Sequence, residues 1–322
     1  MKYSFTLTII LLIFTTSMFS QERMVMMSQY VHNQYMLNSA FGGSREALSL
    51  FGSYRQQWVG LSLDSTISIN PPKSQSITVH APLKNEHIAL GGMIYHESYG
   101  MYDGIKATLS YTYRVFTDNG NKIALSLNGG LKSNSWGKGM VEIEYIDPND
   151  PVLDEVPSDF QNENRFAMGF GTAWYGKNFF LGFSIYDFFY HKPFDPNNSD
   201  DSFFALGKSS YLLTGGYLYD VSEIFAIQPS ALVNFEPTLT KQITADISVS
   251  AIIMNTFWFG GTYRTNKELV GMFGWQINPQ FRATYSYDFP TGELKKFSAG
   301  SHEISLQYDF GYKINTSSPK FF

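Results

Sequence analysis

Three consecutive residues near the C-terminal end, Ser301, His302 and Glu303 in "GSHEI", have the types of a nucleophile, a base and a carboxylate that orients the base. Such a set would suit a hydrolase working on lipid at a membrane surface. The residues that follow, "ISLQYDF", alternate apolar and polar without a break and read as a strand. Neighbouring side chains on a strand point to opposite faces, so the three groups do not converge and no enzymatic activity is expected from them. His302 and Glu303 also begin like a zinc-binding helix motif, but the fifth residue is Leu306 where that motif needs a second His.

A second candidate is the acidic stretch "VEIEYIDPNDPVLDEVPSDFQNEN", which gathers Asp147, Asp150, Asp154, Glu155 and Asp159. It lacks the central Gly and terminal Glu of a calcium loop, and Pro148 and Pro151 read as turn formers. A solvated external loop that contacts a partner is the expectation. His32, His80, His87 and His191 are scattered without ligand spacing, and the glycines of "FGGS" lack a phosphate-loop pattern. No cofactor and no metal are expected.

The chain opens "MKYSFTLTIILLIFTTSMFS", one Lys followed by a short apolar core and small or polar residues, which reads as a signal peptide ending at Ser20. No later run is apolar and long enough for a membrane helix. The absence of cysteine excludes disulfides and thiolate metal sites. The formal charge of -5 falls to -6 once Lys2 is removed, which gives no broad attraction to nucleic acid. Aromatics make up 17% of the residues, with 28 Phe and 21 Tyr, a composition that favours strands.

A two-residue period recurs along the chain. In "GIKATLSYTYRVF", Ile105, Ala107, Leu109, Tyr111, Tyr113 and Val115 share one face, and Lys106, Thr108, Ser110, Thr112 and Arg114 the other. This period predicts strands at 46–55, 74–82, 87–95, 104–115, 121–131, 166–175, 178–187, 209–219, 225–235, 242–253, 256–264, 269–277, 281–289 and 302–310. Most have the length of a tilted strand crossing a bilayer. Even-numbered connections such as "LKNE", "TDNG" and "GK" are short, and odd-numbered ones such as 56–73, 133–165 and 188–208 are mostly long. These features predict an all-β fold: a transmembrane, antiparallel, up-and-down outer-membrane barrel of about 14 strands with short periplasmic turns and long extracellular loops. Lipid offers the backbone no hydrogen bonds, so only a closed sheet satisfies every strand. Trp58, Trp174, Trp258 and Trp275 lie near strand ends, as interfacial girdles require. The expected division is a signal peptide over 1–20, an N-terminal periplasmic segment over 21–45, the barrel over 46–310 and a C-terminal periplasmic tail over 311–322. Lys106, Arg114, Asp246, Arg282 and Asp288 are expected in the lumen, lining a pore or neutralising one another.

Several stretches resemble the PorP/SprF membrane proteins of the type IX secretion system of Bacteroidetes: "SQYVHNQYMLNSAFGGSR", "YRQQWVGL", "ITVHAPL", "FGTAWYGKNFFLGFSIYDFF", "YLLTGGYLYDVSE", "PSALVNF", "FWFGGTYR", "FGWQINPQFRATYSYDF" and "SAGSHEISLQYDF". They cover nearly the whole chain after the signal peptide. In the first of them "NSAFGGS" stands where the family usually has an Asn-Pro-Ala-Tyr type of run. The most specific pieces are "YRQQWVGL", with Tyr54, Arg55, Gln57 and Trp58, and "GSHEI", with Gly300, Ser301, His302 and Glu303. The resemblance implies an outer-membrane component of type IX secretion and gliding. Its partners would be outer-membrane lipid, other components of that machinery, and a large adhesin-like surface protein bearing the type IX C-terminal domain, which it helps export or anchors. The periodicity leaves two other readings open, a porin-like diffusion channel and a lipid-modifying barrel enzyme.

Barrel closure pairs the first strand with the last, which brings the two motifs together. With Leu48, Leu50 and Tyr54 facing lipid, Arg55 faces the lumen, as does Glu303 if Ile304, Leu306, Tyr308 and Phe310 face lipid. An Arg55–Glu303 charge contact near the extracellular rim is therefore expected.

Overall fold

The computed structural model describes residues 27–64, 67–68, 70–100, 102–136, 163–191, 203–204, 209–237, 242–265 and 268–311. Its fourteen barrel strands are β1 Leu48–Gln56, β2 Lys73–Pro82, β3 Ile88–Tyr99, β4 Tyr102–Phe116, β5 Lys122–Trp136, β6 Glu163–Tyr175, β7 Phe179–His191, β8 Ser210–Tyr217, β9 Phe225–Glu236, β10 Gln242–Ile253, β11 Phe257–Arg264, β12 Glu268–Gln276, β13 Phe281–Pro290 and β14 Ser301–Phe310. Each pairs antiparallel with its neighbour in the chain. The pairing of β1 with β14, from Leu48↔Phe310 to Gln56↔His302, closes the sheet on itself.

The burial is inverted relative to a water-soluble domain. Leu109, Ile77, Ile94, Ile243, Ile247 and Ile304 lie on the outside, each more than half exposed. The alternate residues, such as Thr78, Thr112, Ser248, Ser286 and Ser305, are buried inside. An apolar band around a polar interior is the pattern of a barrel whose solvent is lipid. Among the described residues no helix is long and apolar enough to cross a membrane.

Strand ends depart from the periodicity in a consistent way. β3 and β4 extend to Tyr99 and Tyr102, joined by residues 100–101, and β5 extends to Trp136. The added pairs include Glu97↔Gly104 and Ser98↔Asp103. Beyond the lipid band a strand needs no apolar face, so the alternation stops while the backbone ladder continues. The third connection is accordingly short, unlike most on that rim. In β8 the ladder is interrupted at Leu218, which is buried, and resumes at Tyr219–Asp220. The β6–β7 register also shifts between Met168 and Phe170, a bulge that leaves Asp187 at φ +55° with its carboxylate 2.6 Å from Lys106 Nζ.

The interior departs most from expectation. Residues 27–45, expected as a periplasmic segment, lie inside the barrel, nearly all of them buried. A single helical turn, α1 (Gln34–Leu37), and a 3₁₀ turn (Ser39–Phe41) lie within this stretch. The Asn33 side chain accepts from Met36 N at 3.2 Å and the Asn38 side chain from Ala40 N at 2.9 Å, capping the two turns. The physical reason for the placement is composition: residues 28–44 carry no Asp, Glu, Lys or Arg but many amides and hydroxyls. A polar lumen satisfies such groups without desolvating formal charge. The expected signal peptide and residues 312–322 of the expected tail lie outside the described residues.

Candidate functional site: the filled lumen and the barrel seam

The internal segment touches the wall on all sides. Tyr30 Oη lies 2.9 Å from Ser230 Oγ and 3.0 Å from Ser248 Oγ, on β9 and β10. On β13 and β14, Gln29 Nε2 donates to the Glu303 carbonyl at 2.9 Å, and its Oε1 accepts from Ser305 at 2.8 Å and from Thr284. Tyr35 Oη pairs with Ser110 Oγ on β4 at 2.7 Å. Asn38 Nδ2 donates to the Thr172 carbonyl on β6 at 2.9 Å, and the Leu37 carbonyl accepts from Ser184 on β7 at 2.7 Å. Each of these buried polar groups finds a partner on a different strand, which fixes the segment's path.

The two mouths of the lumen differ. Near the short-turn rim an apolar layer forms from Phe41, Tyr175, Phe180, Leu218, Ile252 and Trp258, with small alanines between them. At the same rim Arg45 Nε donates to Asp309 at 2.9 Å, and Glu46 takes Arg114 at 2.8 Å together with Lys122. Near the long-loop rim the layer is ionic. Arg55 Nη2 lies 2.6 Å from Asp288 Oδ2, and its Nη1 lies 3.1 Å from Glu303 Oε2. Ser28 joins the same group: its amide donates to Glu303 at 2.9 Å, and its hydroxyl donates to Asp288 and accepts from Arg55 at 2.8 Å. Arg264 continues the network to Asp246, Glu268 and Asp288 at 3.0, 3.0 and 3.3 Å. Two guanidinium groups thus face four carboxylates, all buried.

The stretches "YRQQWVGL" and "GSHEI" meet at the seam. Arg55 pairs with Glu303 and Gln56 with His302 in the β1–β14 ladder. Beyond the strands the contact continues: Trp58 N donates to Ser301 Oγ at 3.1 Å, Val59 N to the Gly300 carbonyl at 2.7 Å, and Ala299 N to the Val59 carbonyl at 2.8 Å. Gly300 has φ +104°, and a Cβ there would lie 2.6 Å from the Asp288 carbonyl oxygen, so the turn into β14 requires glycine. Tyr54 faces outward and Gln57 is buried, its backbone N–H donating to the Pro72 carbonyl at 2.8 Å.

Ser301, His302 and Glu303 do not assemble. Ser301 and Glu303 point inward and are buried, while His302 lies on the other face with Nδ1 2.7 Å from Tyr285 Oη. The acidic positions Asp147, Asp150, Asp154 and Glu155 lie outside the described residues. Among the described residues no group of three or more His, Cys, Asp or Glu is placed to hold a metal ion. Of the expected lumenal charges, Arg114, Asp246, Arg282 and Asp288 are buried and Lys106 reaches Asp187. Ser28, Gln29, Arg45 and Arg264 are the parts of the site that periodicity did not single out. The charge-free run over 28–44, set beside fourteen polar strand faces, was the available signal.

Two solved barrels share the fold: the Ralstonia pickettii toluene transporter TbuX, at 10% identity and TM-score 0.51 over 86% of this chain and 93% of that one, and the CymD monoaromatic hydrocarbon channel, at 12% and 0.51 over 89% and 94%. Comparison with curated proteins gives no match. The model of the type IX secretion system membrane protein PorP/SprF family matches residues 19–308, a span that takes in the internal segment, the seam motifs and all but the last two residues of β14. The protein is an outer-membrane barrel, and it belongs to the PorP/SprF family of type IX secretion system membrane proteins.

Proposed function

We propose that this barrel is a non-catalytic outer-membrane holder that helps export, or anchors, a large adhesin-like surface protein through that protein's type IX C-terminal domain. The observation that carries the reading is the occupied lumen. A barrel whose interior is filled by its own residues 27–45 works through its rims and loops rather than through a pore. Family membership supplies the type of partner, and the seam motifs, hydrogen-bonded to each other at the long-loop rim, supply a fixed base for the loops that would meet it. Other secretion or gliding components would be met at the short-turn rim.

The diffusion-channel reading draws on the printed names of the two similar barrels, but it needs a passage that the segment and the apolar layer obstruct. A lipid-modifying activity would need Ser301 and His302 on one face, and they lie on two. Deleting the gene and following type IX surface proteins in whole cells tests the proposal. Loss of one surface protein, restored by the wild-type gene, is expected; an unchanged surface complement with a new defect in solute uptake would overturn it in favour of a channel.

A further inference from the structure

We infer that the processed N-terminal end of this chain leaves the barrel through the long-loop mouth, on the cell-surface side, although β1 itself begins at the opposite rim. The segment has a direction. Ser28 contacts Arg55, Asp288 and Glu303, each one or two residues from a strand end that feeds a connection on the long-loop rim. Met27 packs at the same level, its carbonyl 3.5 Å from Nη2 of Arg264, the last residue of β11. Eighteen residues further on, Glu46 meets Arg114 and Lys122, which flank the short turn between β4 and β5, and Leu48 then opens β1. The chain therefore descends from the outer mouth to the inner one before the first strand rises.

A return path to the periplasm would have to share the lumen with this segment. Gln29 and Tyr30 already bond to two separate stretches of the wall, β13–β14 and β9–β10, and the layer containing Phe41, Tyr175, Phe180 and Trp258 lies at the inner mouth. The expectation that both ends of the chain face the periplasm is replaced by a threaded topology. This inference uses the barrel's orientation and not the identity of any secreted partner, so it can fail or hold independently of the proposed function.

The absence of cysteine makes the test direct. Three single variants of the full chain, Arg23→Cys, Lys295→Cys and Lys84→Cys, are expressed in the outer membrane and treated with a membrane-impermeant maleimide. Lys295 is exposed in the connection before β14, and Lys84 is exposed in the short turn between β2 and β3. On intact cells Arg23→Cys and Lys295→Cys should label, and Lys84→Cys should label only after permeabilisation. Intact mass of the purified chain confirms that residue 23 is retained. If Arg23→Cys labels only with Lys84→Cys, or only after denaturation, the inference is wrong. It also fails if the two controls exchange behaviour, because the barrel would then be oriented the other way.

Discussion

Arg55 and Glu303 face each other across the strand pair that closes the barrel, with Nη1 and Oε2 3.1 Å apart and both side chains almost wholly buried. The pair is not isolated, since Asp288 lies 2.6 Å from the same guanidinium and Ser28 bridges all three. Truncating Arg55 would leave Glu303 buried without its ion-pair partner and Asp288 with only the longer contact from Arg264. Removing one partner of such a buried group costs about 3–5 kcal/mol. Arg55→Ala should therefore lower the heat-dependent unfolding temperature of the detergent-solubilised barrel, read by its gel mobility. Arg55→Lys should recover only part, because an ammonium does not reproduce the forked contact to both carboxylates. A variant Arg55→Ala that unfolds with the parent would show that the lumen hydrates the cluster.

Gly300 supplies a second prediction. Its φ of +104° and the Asp288 carbonyl 2.6 Å from a would-be Cβ place Gly300→Ala under both backbone and steric strain. A loss of about 1–3 kcal/mol is expected in the same unfolding assay. Gly60→Ala is the control: it shares a positive φ of +73° but has nothing within 4 Å of the added carbon, so it should cost less than Gly300→Ala. Equal losses would mean that the seam geometry is not the source of the effect.

Docking of the internal segment can be probed at Gly91. A Cβ there would collide with Tyr35 Oη, which is held by Ser110. Gly91→Ala should push Tyr35 from its place and destabilise the barrel by about 1–3 kcal/mol. In the double variant with Tyr35→Ala the two losses should sum to less than additivity predicts, because the second change removes the clash. Strict additivity would place Tyr35 elsewhere.

Leu109 tests the outer surface. It is 76% exposed near the middle of β4, a position where a charged residue would be harmless in water. Facing lipid, Leu109→Arg should cost about 2–4 kcal/mol. Measurement in liposomes, with Thr117→Arg at the short-turn rim as a near-neutral control, distinguishes the two solvents.

Legibility from sequence followed periodicity. The membrane-crossing part of β4 was readable because Ile105 to Val115 alternate with Lys106 to Arg114, and β14 because Ile304 to Phe310 do the same. The ends of β3 and β5 were not, since backbone pairing past the lipid band leaves no trace in side-chain pattern. Register at the seam was legible through the sided placement of Tyr54 and Arg55 against Glu303 and Ile304. The path of residues 27–45 was hidden for another reason: it has neither period, and what fixes it are hydrogen bonds to residues such as Thr172, Ser230 and Ser305, far away in the chain. Leu218 and Ile252, which turn inward to the apolar layer, also broke the simple assignment of apolar residues to lipid.

The bond from Ser28 to Glu303 spans 275 positions, nearly the whole chain. The stretch that precedes β1 therefore cannot complete its contacts until the final strand has arrived. Contacts of such long range make assembly slow, because loop-closure entropy is lost before they form. Closing the sheet and seating the inner segment become one concerted late step, during which unpaired edges of β1 and β14 stay open to the wrong partners. Ser28 and Arg55 are thus positions where a substitution would lower the yield of assembled barrel as well as the stability of the barrels that do assemble.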